Sequence, residues 1–148
     1  MPSHSMGKVV GVNGNMVTVH FDTKVMQNEV AYVVRGDDRL KCEVIRVRGN
    51  RADLQIFEDA KGLLVDDQVE FTGELLSVHL GPGLLTQVYD GLQNPLNKIA
   101  EEAGFFLKRG LYMDPLNREE TWAFTPIAKV GDSVAAGDLI AEIETDKA

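Results

Sequence analysis

The sequence is poor in the residues that most disulfide and metal sites require. It has one cysteine, Cys42, among 148 residues, so an internal disulfide and a cysteine-rich zinc site are both excluded. The three histidines, His4, His20 and His79, are scattered, and no H-E-x-x-H pattern occurs. We therefore predict no metal site, and we interpret Cys42, in a strand-like run, as a small buried hydrophobic residue rather than a catalytic thiol.

A phosphate-binding loop of the form G-x-x-x-x-G-K-[ST] is also absent from the sequence. Such a loop needs glycines for close backbone approach to the phosphates and a lysine followed by serine or threonine. The pair Gly7-Lys8 is followed by Val9 and has no glycine five residues before it. We therefore expect these 148 residues alone to bind no cofactor and to contain no catalytic residues.

Positive net charge and long apolar runs are lacking too. The formal charge of −8 and the pI near 4.8 argue against a nucleic-acid partner, because such proteins usually carry a basic patch. Apolar runs such as Val9-Val10 are far shorter than the roughly 20 residues of a membrane-spanning helix, so we predict no direct membrane insertion. Residues 1–6 do not resemble a signal peptide and are expected to be a disordered lead, and the single cysteine fits a cytoplasmic location.

Short strands separated by turn residues are what the first half of the chain contains. Asn13-Gly14 is a hairpin signal, and the apolar residues after it alternate with polar ones. The alternation slips by one residue at Val44-Ile45, which predicts a β-bulge. We predict a mainly β protein with a small closed antiparallel barrel over residues 7–76. Its expected core includes Val17, Val19, Phe21, Leu54, Ile56 and Phe71.

A connector is predicted over residues 77–114, where glycine and proline interrupt the alternation. It should contain a short helix with Asn94 as N-cap, Pro95 as first helical residue and Gly104 at its end. The connector residues that we single out are Gly81, Pro82, Gly83, Asp90 and Gly91.

Strand-like patterns return over residues 115–148, which we interpret as the first half of a second, incomplete β unit. The run V-G-D-S-V at 130–134 resembles V-D-D-Q-V at 65–69, and we interpret the likeness as a shared turn type rather than a repeat. The end of this region, E-T-D-K-A at 144–148, preceded by V-G-D-S-V at 130–134 and G-D-L-I at 137–140, resembles the first half of a lipoyl domain. That resemblance implies that Lys147 is a site of lipoyl attachment.

A second resemblance covers nearly the whole chain. It rests above all on L-G-P-G-L-L at 80–85 and Y-D-G-L-Q-N-P-L at 89–96. The other segments, in chain order, are G-K-V at 7–9, N-E-V-A-Y-V at 28–33, E-V-I-R-V-R-G at 43–49, Q-I-F-E-D-A-K-G-L at 55–63, F-L-K-R-G at 106–110 and L-N-R-E-E-T-W-A-F-T-P at 116–126. Together they resemble the N-terminal part of the catalytic A subunit of V/A-type rotary ATPases.

This resemblance implies a function in assembly. The barrel would belong to a crown of alternating A and B subunits, and the connector would lead into a nucleotide-binding domain. Residues 115–148 would begin an inserted bulge with a lipoyl-like sandwich fold, through which stalk subunits could bind. The parent subunit would bind ATP and Mg²⁺ beyond Ala148, in a cytoplasmic complex held at the membrane that couples ATP hydrolysis or synthesis to H⁺ or Na⁺ transport. The alternatives are a lipoyl carrier module and a free-standing adaptor barrel.

Overall fold

The structure, a computed structural model, describes residues 5–85, 87–104 and 110–145, with the side chain of residue 103 left aside. Its elements are β1 (Ser5–Asn13), β2 (Met16–Phe21), β3 (Glu29–Arg35), β4 (Asp38–Arg48), β5 (Arg51–Ile56), β6 (Gln68–Leu75), α1 (Leu96–Ala103), β7 (Ala123–Pro126) and β8 (Ala141–Glu144). The described residues form two compact units. The first contains residues 5–77 and 110–111, and the second contains residues 78–85, 87–104 and 112–145.

The first unit is a closed barrel with the strand order β1-β2-β5-β4-β3-β6. All neighbouring strands are antiparallel, and β6 pairs with β1 to complete the circle. Closure pairs the strand edges that would otherwise be exposed. The predicted mainly β fold with a closed antiparallel barrel is confirmed.

The barrel core contains all six residues that the alternation predicted. Val17, Val19, Phe21, Leu54, Ile56 and Phe71 are each at most 4% exposed. The rings of Phe21 and Phe71 meet edge to face, with their centroids 5.7 Å apart. Cys42 is fully buried and donates from Sγ to the Ala31 carbonyl at 3.2 Å. Burial raises the pKa of the Cys42 thiol to about 12, so the group stays protonated and inert, as its interpretation as a core residue requires.

Three register shifts bend the barrel strands. The shift between Val44 and Arg46 confirms the predicted bulge, and it leaves Ile45 exposed. The shifts between Val9 and Gly11 in β1 and between Glu29 and Ala31 in β3 were not predicted. Bulges increase the local twist of a strand, which a small closed barrel needs.

The barrel begins earlier in the chain than expected. Ser5 pairs with Phe71 and Met6 with Glu70, so β1 starts two residues before the predicted boundary at residue 7. Pairing with β6 orders these two residues although their side chains carry no apolar alternation. Residues 1–4 of the predicted lead lie outside the described residues.

A second departure from the predicted boundaries concerns residues 110–111, which lie in the expected connector but belong to the barrel unit. The Gly110 N–H donates to Glu58 Oε2 at 2.7 Å. Gly110 has a positive φ of 74°, and a Cβ there would lie 3.5 Å from the Arg39 nitrogen. No local pattern indicates this contact, because its partners are 52 residues apart.

A buried carboxylate joins two ends of the barrel wall. Glu29 is 2% exposed, accepts the Met26 N–H at 2.9 Å through Oε2, and accepts the Gly73 N–H at 2.6 Å through Oε1. Hydrogen bonds to a charged acceptor are stronger than neutral ones, and they offset the cost of burial. Glu29 thus ties the loop before β3 to the end of β6.

Among the described residues, the turn type that the sequence indicated occurs three times. In each four-residue turn the last residue is an aspartate whose side chain accepts the first residue's N–H: Leu64 to Asp67 at 2.7 Å, Lys129 to Asp132 at 2.8 Å and Ala135 to Asp138 at 2.7 Å. The third position has a positive φ, as in a type II turn: 75° at Asp66, 101° at Gly131 and 95° at Gly137. The shared turn type is confirmed.

The second unit contains α1 and a two-stranded antiparallel sheet of β7 and β8. Phe124 pairs with Ile143 across this sheet, and both side chains are exposed, at 62% and 42%. Within residues 5–85, 87–104 and 110–145, no helix has the length and apolar character to cross a membrane.

Asp66 is a position where replacement by glycine should increase the stability of the barrel. An L-residue in the left-handed region costs about 1–2 kcal/mol, less for Asp, whereas glycine adopts it freely. The Asp66 N–H, which donates to the Val9 carbonyl at 2.8 Å, is kept in the variant. We expect Asp66→Gly to raise the free energy of unfolding by about 0.5–1 kcal/mol, measured by urea denaturation. Asp67→Ala, which loses the turn's side-chain hydrogen bond, should lower it by about 1 kcal/mol. A lower urea midpoint for Asp66→Gly would contradict the strain at this turn.

Candidate functional site

The predicted connector residues lie in the second unit, where two of the glycines are explained by close packing. A Cβ on Gly81 would lie 3.0 Å from Leu116 Cδ1. Gly83 has a φ of 88°, and a Cβ there would lie 3.3 Å from Trp122 Cζ2. The turn around Pro82 therefore needs small residues on both sides, because Leu116 and Trp122 approach its backbone.

Asp90 is the centre of the next loop. Its Oδ1 accepts the N–H groups of Leu92 and Asn94, both at 2.8 Å, and its Oδ2 accepts from Asn94 Nδ2 at 2.9 Å. The Asp90 N–H in turn donates to the Asn94 carbonyl at 3.1 Å. A carboxylate saturated by short local hydrogen bonds is a structural group, so Asp90 holds the loop rather than performing acid–base chemistry. Gly91 lies in the same loop, and a Cβ there would meet no atom within 4 Å, so no packing contact demands glycine.

Two polar residues of this loop have roles that the sequence did not predict: Gln93 was not singled out, and Asn94 was predicted only as a helix cap. Gln93, at a φ of 64°, accepts the His79 N–H through Oε1 and donates to the His79 carbonyl through Nε2, both at 2.7 Å. Asn94 is 5% exposed, and its Oδ1 accepts the Met113 N–H at 3.2 Å. In the sequence both residues stand out only as members of the D-G-L-Q-N-P run. That run does not indicate hydrogen-bond partners 14 or 19 residues away.

The predicted N-cap of α1 is wrong. The cap position is Pro95, which has no side chain able to cap, and α1 begins at Leu96. Asn94 is unavailable because its side chain is bonded to Asp90 and Met113 instead. The predicted end is confirmed: Gly104, at a φ of 70°, follows the helix and donates its N–H to the Ala100 carbonyl at 3.0 Å.

Polar contacts also hold the residues on either side of the Asp90 loop. Tyr89 donates its hydroxyl to the Pro115 carbonyl at 3.0 Å, and Leu96 donates its N–H to the Val88 carbonyl at 3.0 Å.

The Arg118 guanidinium donates to the carboxylate of Asp114, which lies four residues earlier in the chain. This hydrogen bond, with a second from the Leu116 N–H, lowers the pKa of the Asp114 carboxyl. The pair is fully exposed, so water and salt screen it, and it is lost as the pH falls through that lowered pKa.

A cavity of about 230 Å³ lies beside the Pro82 turn. Its lining residues are Gly81, Pro82, Gly83, Leu85, Gln87, Glu120, Trp122 and Thr145. None of these is a lysine, arginine or histidine, so the described lining offers a phosphate group no positive charge. The described part of the chain also holds no group of three metal-ligating side chains. Lys147, the predicted modification site, lies outside the described residues.

Removal of the Asp90 carboxylate should loosen this loop. Asp90→Ala leaves the N–H groups of Leu92 and Asn94 without acceptors, so we expect about fivefold faster amide exchange at both positions, since each hydrogen bond contributes about 1 kcal/mol. Hydrogen–deuterium exchange checks this. Asp90→Asn, which keeps one carbonyl oxygen, should restore most of the protection, and Asp138→Ala, in a separate turn, should leave the loop unchanged. Unaltered amide exchange in Asp90→Ala would show that the Asp90 carboxylate does not hold this loop.

Comparisons with known proteins agree on one family. Residues 9–73 match the profile of the ATP synthase alpha/beta family, beta-barrel domain. The V-type ATP synthase alpha chain of Borreliella afzelii (strain PKo) is 59% identical over 137 residues, which are 93% of this chain and 24% of the relative. That of Treponema denticola is also 59% identical over 137 residues, with 93% and 23% covered. V-type ATP synthase alpha chain 1 of Treponema pallidum (strain Nichols) is 56% identical over 138 residues, with the same shares.

The chain therefore spans about a quarter of the length of these relatives. The matched barrel profile runs from within β1 to within β6 of the first unit, and the similarity to the alpha chains, which covers 93% of the chain, extends beyond the barrel through α1. Its barrel is similar to the beta-barrel domain of the ATP synthase alpha/beta family, and over 93% of its length the chain is similar to part of the V-type ATP synthase alpha chain.

Proposed function

We propose that this chain is the N-terminal assembly region of the A subunit of a V-type ATPase. The observation that carries the proposal is the 59% identity to V-type ATP synthase alpha chains over 93% of the chain, with the barrel profile at its start. The complex would couple ATP hydrolysis or synthesis to H⁺ or Na⁺ transport. Its partners would be other A and B subunits of the head and, through the bulge, stalk subunits.

The barrel has the properties that an assembly element needs. It buries its own core, with residues such as Leu40, Leu54 and Val69 fully inaccessible, so it requires no partner to fold. Its wall is closed, which leaves a fixed outer face available for neighbours. A rigid surface loses little conformational entropy on association, and this favours a stable ring contact.

Nucleotide binding belongs, in this proposal, to other parts of the longer subunit. The 148 residues contain no phosphate-binding loop, and the described lining of the cavity at Pro82 lacks cationic side chains. ATP and Mg²⁺ would bind residues of the parent subunit that are not in this chain. The complex would lie on the cytoplasmic side of a membrane and be attached to it through other subunits.

A titration with two ligands tests this proposal. We expect the 148-residue chain to bind the purified B chain of the same ATPase, because the barrel face is complete without the rest of the subunit. We expect no heat above dilution with Mg-ATP, because no anion site is assembled. Isothermal calorimetry measures both. Failure to bind the B chain would refute the assembly role, and micromolar ATP affinity would place the nucleotide site in this segment.

The lipoyl carrier alternative depends on E-T-D-K-A at 144–148, preceded by V-G-D-S-V at 130–134 and G-D-L-I at 137–140. Residues 146–148 of this run lie outside the described residues. The alpha-chain similarity extends over 137 residues, which favours the ATPase subunit over a carrier module. We therefore expect no lipoyl group on Lys147 when the chain is expressed with lipoate and an active ligase. Intact mass spectrometry checks this, with Lys147→Arg as the control. An added lipoyl mass that disappears in the control would establish the carrier function.

A further inference from the structure

Four basic side chains form one row across the outer face of the barrel. The register pairs Arg48 with Arg51, Arg51 with His20, and His20 with Lys8, on the successive strands β4, β5, β2 and β1. Directly paired residues point to the same side of a sheet. The next residues inward along the strands, Val9, Val19 and Ala52, are buried, so the row lies on the outer face. We call these four residues the basic row.

The basic row is only partly neutralised within the chain. Arg48 pairs with Asp53 at 3.2 Å, and His20 Nε2 lies 2.8 Å from Asn50 Nδ2. Lys8 and Arg51 are exposed, and among residues 5–85, 87–104 and 110–145 neither side chain has a hydrogen bond or an ion pair. Arg46 lies two residues before Arg48 on β4. It is likewise exposed and has no ion pair in that part of the chain.

This arrangement is unfavourable for folding alone. Like charges placed directly opposite on neighbouring strands destabilise a sheet, and the Arg48–Arg51 pair is such a case. Acidic side chains outnumber basic ones in the sequence, 23 to 15, so a row without acidic members is not a consequence of composition. An external acidic partner would turn this repulsion into attraction.

The surface at one end of the row is concave. A cavity of about 220 Å³ is lined by Lys8 and His20 together with Met6, Gly7, Phe21, Asp22 and Gln68. Gly7 is one of these lining residues and has no room for a side chain, since a Cβ there would lie 2.8 Å from Val19 Cγ1 and 2.9 Å from Phe71 Cε2 in the barrel core. The cavity has room for the end of one inserted side chain beside the Lys8 ammonium group.

From this geometry we infer that the basic row is the barrel's contact surface for carboxylate side chains of the neighbouring B subunit. The inference rests on the proposed assembly function and adds which strands face the neighbour, namely β1, β2, β5 and the end of β4. Complementary charge at such a contact increases the rate of association and fixes the register of the two partners.

Charge complementarity identifies the occupant as a protein carboxylate surface. A neighbour of the same family is built on the same type of barrel, and acidic side chains outnumber basic ones in this chain, 23 to 15. Barrels packed side by side in a ring can therefore place carboxylates of one against the basic row of the next. The formal charge of −8 of the whole chain opposes a polyanion or an anionic lipid surface as the occupant.

The test is a charge reversal with a matched control. We expect the double variant Lys8→Glu with Arg51→Glu to weaken binding of the purified B chain by about tenfold or more. The affinity of the unmodified chain should fall between 50 and 300 mM NaCl, and the variant should lose most of that salt dependence, because its binding no longer depends on these attractions. The control, Lys24→Glu with Lys98→Glu, changes the net charge equally at exposed sites off the row and should bind as the unmodified chain does.

A neutral double variant separates a loss of binding from a loss of stability. Thermal unfolding of Lys8→Gln with Arg51→Gln should show a midpoint equal to or above that of the unmodified chain, because repulsion is removed, while B-chain binding still weakens. Full B-chain affinity in the Lys8→Glu, Arg51→Glu variant would overturn the inference and leave the assembly function intact. Absence of B-chain binding by the unmodified chain would refute both.

Discussion

Closure of the barrel through β1 is the constraint on which the rest of the first unit depends. β1 pairs with β2 on one side and with β6 on the other, and Gly7 lies where the two ladders meet. A side chain there would overlap Val19 and Phe71, so closure requires glycine at this position. Once β1 is in place, every other strand has two neighbours, the core is sealed, and the outer face has a fixed register. The basic row exists only because that register sets Lys8 beside His20.

The alternation of apolar residues was sufficient to predict the barrel and its core, because each strand's burial follows a period of two. It also located the bulge at Val44-Ile45, since a slip in phase is visible in the sequence itself. The bulge between Val9 and Gly11 was missed because exposed Val10 is apolar and hides the slip. Interactions between distant residues, such as the Glu29 clamp on Gly73, have no periodic signal and could not be predicted.

In the connector, prediction from the sequence failed for a different reason. Glycine and proline located the loops, and the structure gives their cause in the approach of Leu116 and Trp122 to Gly81 and Gly83. The same reading placed Asn94 at a helix cap, since a local rule prefers a local partner. In the fold the Asp90 carboxylate, four residues away, and the Met113 N–H, 19 residues away, bind that side chain instead. Residues with several hydrogen-bonding groups are the ones for which local rules fail most often, because tertiary partners compete.

The two units differ in how they are stabilised. The barrel encloses its apolar side chains, whereas the β7–β8 sheet presents Phe124 and Ile143 to solvent. A two-stranded sheet is marginally stable in water by itself, so its turns must contribute a larger share of its order. Two of the three aspartate turns, ending at Asp132 and Asp138, lie between β7 and β8. Each fixes a reversal with a glycine at positive φ and a carboxylate on a backbone N–H, which orders the segment locally without a buried core. The barrel is therefore ordered by its enclosed apolar core, whereas the order of the sheet depends on hydrogen bonds in its turns.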